Sequence, residues 1–320
     1  MSQTEQSFFE RVVQPAVFAD QEYPHATRSL LSLTKYTDKL PDRYQTSDLE
    51  ILISTQNQTD FSFLERMFPF APYHQFNILI INQTKSDQIL MSDFPTVRIL
   101  NSKETGLSKS RNLALANASK NIVLIADDDV IYTADFDAKI IDAFNKNPNA
   151  SVIHFQTQTT ENKLFWNYPK NYKKLHINQL TNVLSVEIAI KTADIKKSKI
   201  RFNELFGLGA QFEDAESFFF LRAAFHKKKE VLFYPETIVM HPSFTSSDEV
   251  ESDRKIYAKM AGFQKRFGRF SYILLCKYIF FLIRKRFISF KEIKTKFIIG
   301  LKGINDYQIF SKEFTDQKYD

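Results

Sequence analysis

The sequence predicts an α/β protein: a mostly parallel sheet flanked by helices, with a basic helical region appended at its C-terminal end. Three observations lead there. Short apolar runs rich in β-branched residues recur near 49–54, 76–81, 96–100 and 121–126, alternating with helical segments, as parallel sheets require. Three aspartates, Asp127, Asp128 and Asp129, stand where the fourth run ends, and ligand sites of open α/β sheets gather at the carboxyl ends of strands. Charge is uneven: Arg254 to Lys302 carries 14 Lys/Arg and one acid, Glu292, within a chain of net charge +6, so the remainder is net acidic.

In chain order, residues 1–47 read as an N-terminal extension, with short helices at Phe8–Val13 and Ser29–Leu33 and no visible chemistry. Leu49–Ser54 is the first strand. A polar loop follows, then a helix from Phe61 to Phe68 with Asp60 as its N-cap. Phe76–Ile81 and Thr96–Leu100 are the next strands. Thr105–Ala118 reads as a turn into a helix capped by Ser108, and Asn121–Ala126 as a buried strand. Asp135–Asn145 has helical spacing and is stopped by Pro148. Ala150–Gln156 is a strand. Residues 157–182 are polar and irregular around Trp166, Tyr168 and Tyr172, which suits either an acceptor-side loop or a packed excursion. Val183–Ile190 returns to a strand pattern. Phe202–Glu216 holds Gly207 and Gly209 ahead of a helix at Ser217–His226. Strands at Val231–Tyr234 and Thr237–Met240 then lead to His241.

Composition bounds the possibilities. A length of 320 residues suits one large domain with an appendage, here divided as 1–47, 48–250 and 251–320. Cys276 is the only cysteine, which excludes a disulfide framework or cysteine metal site within the chain and fits a reducing cytoplasm. The N-terminal residues lack a basic stretch followed by an apolar run, so no signal peptide is expected. Tyr272–Ile283 is the longest apolar stretch; Lys277 interrupts it and it is too short to span a bilayer.

Two features of residues 105–130 violate local rules. Lys109 and Arg111 fall in the first turn of a helix, where the dipole favours anions. Three adjacent carboxylates repel unless a cation lies among them. A phosphate near the basic turn and a divalent cation on the aspartates resolve both conflicts. The bland alternative is a solvated aspartate loop and a surface arginine. Asp214 and Glu216 precede a helix and can serve as caps. His241, at a strand end, is either a structural histidine or a ligand for metal or phosphate.

Taken in order, the strand ends at Thr55 and Asn82, Gly106 to Asn112, Ala126 to Val130, the Gly207–Ala210 loop with its acids and His241-Pro242 resemble the family 2 glycosyltransferases over about residues 49–245. The resemblance implies the GT-A (Rossmann-like) fold and a sugar nucleotide donor. Thr55, Asn57 and Asn82 would hold the nucleoside. Gly106, Arg111 and Asn112 would lie near the diphosphate or brace the site. Asp127 would contact both nucleotide and metal, and Asp127, Asp129 and His241 would bind Mg²⁺ or Mn²⁺, with Asp128 able to replace either aspartate. Members of this kind invert the anomeric centre and use a carboxylate base, usually from a Glu-Asp pair before a helix. Glu213-Asp214 has those letters. The spacing from Gly209 to Phe218–Leu221 fits better with Ala215-Glu216-Ser217 in that place, so Glu216 and Asp214 are both candidates.

The expected protein is therefore a metal-dependent inverting glycosyltransferase. It would move a sugar from a UDP-linked donor to a glycan, on a lipid carrier, in cell-surface polysaccharide synthesis. The tail between 254 and 302 interleaves bases with aromatics, which suits an anionic membrane surface or packing on the catalytic domain. The expected location is the cytoplasm, peripheral to the inner face of the membrane. No nucleic acid partner is expected, since no RNA or DNA module accompanies the charge. Two rivals stand beside this reading. A nucleotidyltransferase would want a glycine-rich loop near the N-terminus, and residues 1–105 contain no glycine. A non-catalytic nucleotide-binding scaffold is suggested by Ser217 where a second acid is common.

Overall fold

The computed structural model describes residues 43–85, 87, 89–241 and 250–313; the helices expected at Phe8–Val13 and Ser29–Leu33 lie outside them. Four strands form the parallel half of a nine-stranded sheet: β1 (Leu49–Gln56), β2 (Ile78–Gln83), β3 (Val97–Ser102) and β4 (Ile122–Asp127), in the order β3-β2-β1-β4. Residues 49 to 55 are all buried, as expected of a strand covered on both faces. Alternate residues feed two cores. Ile51 and Ile53 join Phe63, Phe136 and Phe144, whereas Leu52, Leu79 and Val123 face Ala114, Leu115 and Phe220. Buried Glu50 is the charged exception, and it is satisfied by Arg98 at 2.6 Å and the Ser119 amide at 2.7 Å.

Strand order places the site. β2 and β3 build outward on one side of β1, and β4 then pairs on the other side. Between β1 and β4 the connections diverge, leaving a crevice at their carboxyl ends. The remaining strands are β5 (Ile131–Tyr132), β6 (Ala150–Thr159), β7 (Lys173–Lys174), β8 (Ile188–Lys191) and β9 (Glu230–His241). β8 is antiparallel to both β4 and β6, and β9 is parallel to β6. β9 therefore runs with β4 and brings His241 to the edge that carries Asp127.

The helices are α1 (Ser62–Met67), α2 (Leu107–Asn117), α3 (Phe136–Lys146), α4 (Thr192–Lys197), α5 (Glu216–His226), α6 (Asp253–Phe267), α7 (Ser271–Arg284) and α8 (Ile293–Glu313). Several sequence expectations change here. Ser108 is not the cap of α2: Gly106 holds that position with φ 118°, and buried Ser108 donates its hydroxyl to the Phe206 carbonyl at 2.6 Å. Asp60 does accept the Ser62 amide at 2.9 Å, but Phe61 is the residue at the cap. The strand expected at Val183–Ile190 shortens to 188–191, because Ser185–Glu187 forms a 3₁₀ turn. That turn sends Glu187 into the interior, where His154 meets it at 2.6 Å and Tyr168 also bonds it. The two strands expected after residue 230 are one strand, with a register shift against β6 at the level of Pro235.

The C-terminal helices are present, but the first of them is not peripheral. Ala258 and Ala261 of α6 pack on Leu205, Phe206, Phe212 and Phe219 of the catalytic body. α7 and α8 form their own core with α6, through Ile256, Met260, Leu275, Leu282 and Ile304.

Candidate active site

At the crevice between β1 and β4, Thr55 and Gln58 both donate to the Asp128 carboxylate, Gln58 at 3.1 Å. Asn82, fully buried at the end of β2, clamps the adjoining turn. Its carboxamide oxygen accepts the Gln58 amide at 3.0 Å, and its nitrogen donates to the Gln58 carbonyl at 2.9 Å. Asn57 supports the turn with a left-handed backbone, φ 54°, a conformation asparagine tolerates better than most residues. Thr55, Asn57 and Asn82 thus come together at one end of the crevice, with Asn82 bracing the wall through its amide.

Arg111 organises the centre. It projects from α2, is 1% exposed, and lies 5.5 Å over the Phe202 ring. One terminal nitrogen donates to Glu216 at 3.0 Å. The other donates to Asp127 at 2.8 and 3.2 Å and to Ser185 at 2.7 Å. Burial works against the guanidinium charge, yet Asp127 and Glu216 outweigh it and push its pKa up. With the cap at Gly106, Arg111 falls in the second turn of α2 and not the first, and its charge is answered by carboxylates from β4 and α5. Asn112 turns the other way, exchanging hydrogen bonds with the Phe202 backbone at 2.7 and 2.9 Å and reaching Glu204 at 2.9 Å.

The 202–216 loop reaches this centre because two glycines let it. A Cβ on Gly207, at φ 102°, would meet the Glu216 side chain at 3.2 Å. One on Gly209, at φ 73°, would meet the Gly106 backbone at 3.3 Å. The two loops are tied by the Leu107 amide donating to the Leu208 carbonyl at 2.9 Å. Beyond them, Glu213 bonds the Gly209 amide and Arg254, each at 3.1 Å, and Asp214 pairs with buried Lys255 at 2.9 Å. Burial raises the Asp214 pKa, but Lys255 and Lys259 draw it down further, so its net position is below the usual value. Glu216 opens α5, and Ser217 donates to its Oε1 at 3.3 Å. Among the described residues none donates to Glu216 Oε2.

The carboxylates around Arg111 open on a cavity of about 490 Å³, whose lining does not include Thr55, Gln58 or Asn82. Arg111, Asp127, Asp129, Glu216 and His241 line it together with Trp166, Phe218, Phe263, Lys259 and Arg266. Residues 157–182 thus supply part of the wall through Trp166, and Tyr168 from the same excursion packs inside.

Residues 49–224 match the family model described as "Glycosyl transferase family 2". The chain belongs to that family. It is a glycosyltransferase, and its mostly parallel sheet with flanking helices is the GT-A fold. Among solved structures, residues 1–349 of S. aureus TarS are 15% identical, with a TM-score of 0.49 over 83% of this chain and 91% of that one. A longer TarS chain is also 15% identical, with a TM-score of 0.46 over 83% of this chain and 55% of that one. TarS 1–349 in complex with UDP-GlcNAc is 12% identical, with a TM-score of 0.46 and coverage of 83% and 91%. No curated protein matches significantly.

The three aspartates of this glycosyltransferase point to different partners. Asp127 faces Arg111, Asp128 faces Thr55 and Gln58, and Asp129 lies 3.7 Å from His241. Burial raises the Asp129 pKa; His241 lowers it, and Asp127 and Asp128 add to the rise. Among the described residues no three His, Cys, Asp or Glu side chains form a closed metal cage. Asp129 and His241 are the side chains that would hold a divalent ion here, one oxygen and one nitrogen donor, with its other ligands drawn from substrate phosphate and water. Asp127, with both oxygens on Arg111, is less suited to that shell than expected from the sequence. Sequence reasoning did not single out Gln58, Ser185, Lys255 or Arg266. Only the basic character of the tail pointed toward the last two.

Proposed function

We propose that this family 2 glycosyltransferase moves a sugar from a nucleotide sugar, UDP-linked, to a hydroxyl of a glycan acceptor, with inversion and with Mg²⁺ or Mn²⁺ bound. The observation that carries the reading is Glu216. Its Oε1 is fixed by Arg111 and Ser217, and its Oε2 stands without a described donor in a wall of the cavity that also holds Asp127 and Asp129. A carboxylate so oriented accepts the proton of the acceptor hydroxyl as its oxygen attacks the anomeric carbon and the nucleoside diphosphate departs. Asp214 suits that role less, because its pairing with Lys255 makes it a weaker base. The nucleoside fits the end formed by Thr55, Asn57, Gln58 and Asn82. Asp129 and His241 would hold the cation, which supplies charge neutralisation on the leaving diphosphate. Trp166, Phe218 and Phe263 offer apolar faces on the acceptor side. The proposed setting is cell-surface polysaccharide synthesis on the inner face of the membrane.

The test pairs binding with turnover. Wild type is expected to bind UDP with Mn²⁺ present, and Asp129→Ala/His241→Ala to lose the metal-dependent part. Glu216→Gln should bind UDP like wild type but lose about 10²- to 10⁴-fold in donor turnover, with Asp214→Asn losing less. Absence of binding to any nucleotide with metal present would remove the transferase mechanism proposed here. Full turnover in Glu216→Gln would remove Glu216 as the base.

A further inference from the structure

The bases of the tail divide into two groups. Lys255 and Lys259 on α6 turn inward and are buried. By contrast, Arg269, Lys277, Arg284, Lys285, Arg286, Lys291 and Lys294 are all exposed, and none forms an ion pair with a described residue. The single acid among 269–294, Glu292, is occupied by Ser289 at 2.7 and 2.8 Å.

Apolar side chains are exposed among these bases. On α7, Ile273 is 55% and Phe280 65% exposed; Phe270 before the helix is 69% and Phe290 after it 81% exposed. Ile273, Lys277, Phe280 and Arg284 fall at i, i+4, i+7 and i+11, so they form one stripe. The opposite face, with Leu275, Tyr278 and Leu282, is buried in the bundle. No described helix is long and apolar enough to cross a membrane.

We propose that this outer face of α7 and the following turn, 270–291, docks on an anionic lipid bilayer, with Ile273, Phe280 and Phe290 entering the headgroup boundary. Apolar side chains standing out at intervals between unpaired bases match a surface that offers hydrocarbon beneath negative charge, and a helix lying in that plane buries the first while pairing the second. A soluble acidic partner would meet the charges but leave the large rings in water. The inference rests on the surface of the bundle and not on the nucleotide site.

Cys276 gives a direct probe. It is exposed on α7, beside Lys277, and is the only cysteine in the chain. The full chain, labelled there with an environment-sensitive dye, is titrated with phosphatidylcholine vesicles with and without phosphatidylglycerol. Co-sedimentation of unlabelled protein runs in parallel. The expected result is a blue shift and co-sedimentation with the anionic vesicles alone, reversed by salt. Lys277→Gln/Arg284→Gln should weaken binding about 30-fold, from about 1 kcal/mol for each base near the surface. Phe280→Ser/Phe290→Ser should weaken it by about tenfold or more. UDP titration of the same variants should match wild type, which separates failure of this surface from failure of the nucleotide reading. The proposal is overturned by absence of binding to anionic vesicles, by equal binding to neutral ones, or by undiminished binding of both variants. A dye already shielded in the free protein and indifferent to vesicles would show the face covered by another part of the chain or a second copy, and would overturn it equally.

Discussion

Arg111 shows how much one side chain carries. A guanidinium 1% exposed holds Asp127 and Glu216 at opposite ends of its fork, with Ser185 sharing one nitrogen. Arg111→Ala would leave two carboxylates in a poorly solvated wall without their counter-charge, a loss of about 3–5 kcal/mol for a broken buried pair. Arg111→Lys should recover little of it, because one ammonium cannot span three partners in a plane. Urea denaturation of both variants measures this, and a lysine variant as stable as wild type would argue against the fork. Asp214 gives a pH signature. Its folded pKa lies below the unfolded value of about 3.9. The stability it lends is therefore present above about pH 4 and lost as pH falls through the folded pKa. Asp214→Asn should melt below wild type at neutral pH, and the gap should close in acid. A gap constant across that range would point to packing instead of charge.

At the scale of elements, two glycines of α8 decide how closely it packs on α6 and α7. A Cβ on Gly303 would come within 2.2 Å of the Tyr257 carbonyl oxygen on α6, which is backbone and cannot step aside. On Gly300 it would meet the Leu275 side chain at 2.3 Å, a flexible end that can rotate. Gly303→Ala should therefore cost about 1–3 kcal/mol, the range of overpacked cores, and Gly300→Ala less; thermal melts that reverse this order would contradict the packing. Tyr257 also ties the acid loop to α8. It donates to Asp306 at 2.7 Å and accepts from Gln211 at 2.6 Å, while burial and the Asp306 bond raise its pKa to about 12. The 3₁₀ turn at Ser185–Glu187 works similarly from the other side. Glu187, held by His154 and Tyr168, anchors the segment that presents Ser185 to Arg111.

At the scale of the whole molecule, the chain joins an α/β body to a helical bundle through one shared wall. α6 closes the cavity from outside the parallel core, so the inward bases belong to the site and the outward ones to the bundle's surface. The strands at 49–54 and 121–126, the helices at 135–145 and 217–226 and the cluster at Asp127–Asp129 were legible in the sequence. Each depends on local periodicity or on a strand ending in polar residues, and such signals lie within a few residues of one another. The 3₁₀ turn at 185–187 was not, because its apolar spacing mimics a strand and its reason is a buried carboxylate answered by His154 and Tyr168 from distant segments. The partner of each aspartate was equally hidden: Thr55, Arg111 and His241 lie 73, 16 and 112 positions from Asp128, Asp127 and Asp129. By itself the sequence determined the α/β layout, the strand-end location of the acids and the basic character of the tail. Only the tertiary structure decided which carboxylate faces the arginine, which faces the histidine and which bases turn inward, because those choices depend on burial and on charges brought together from different strands and helices.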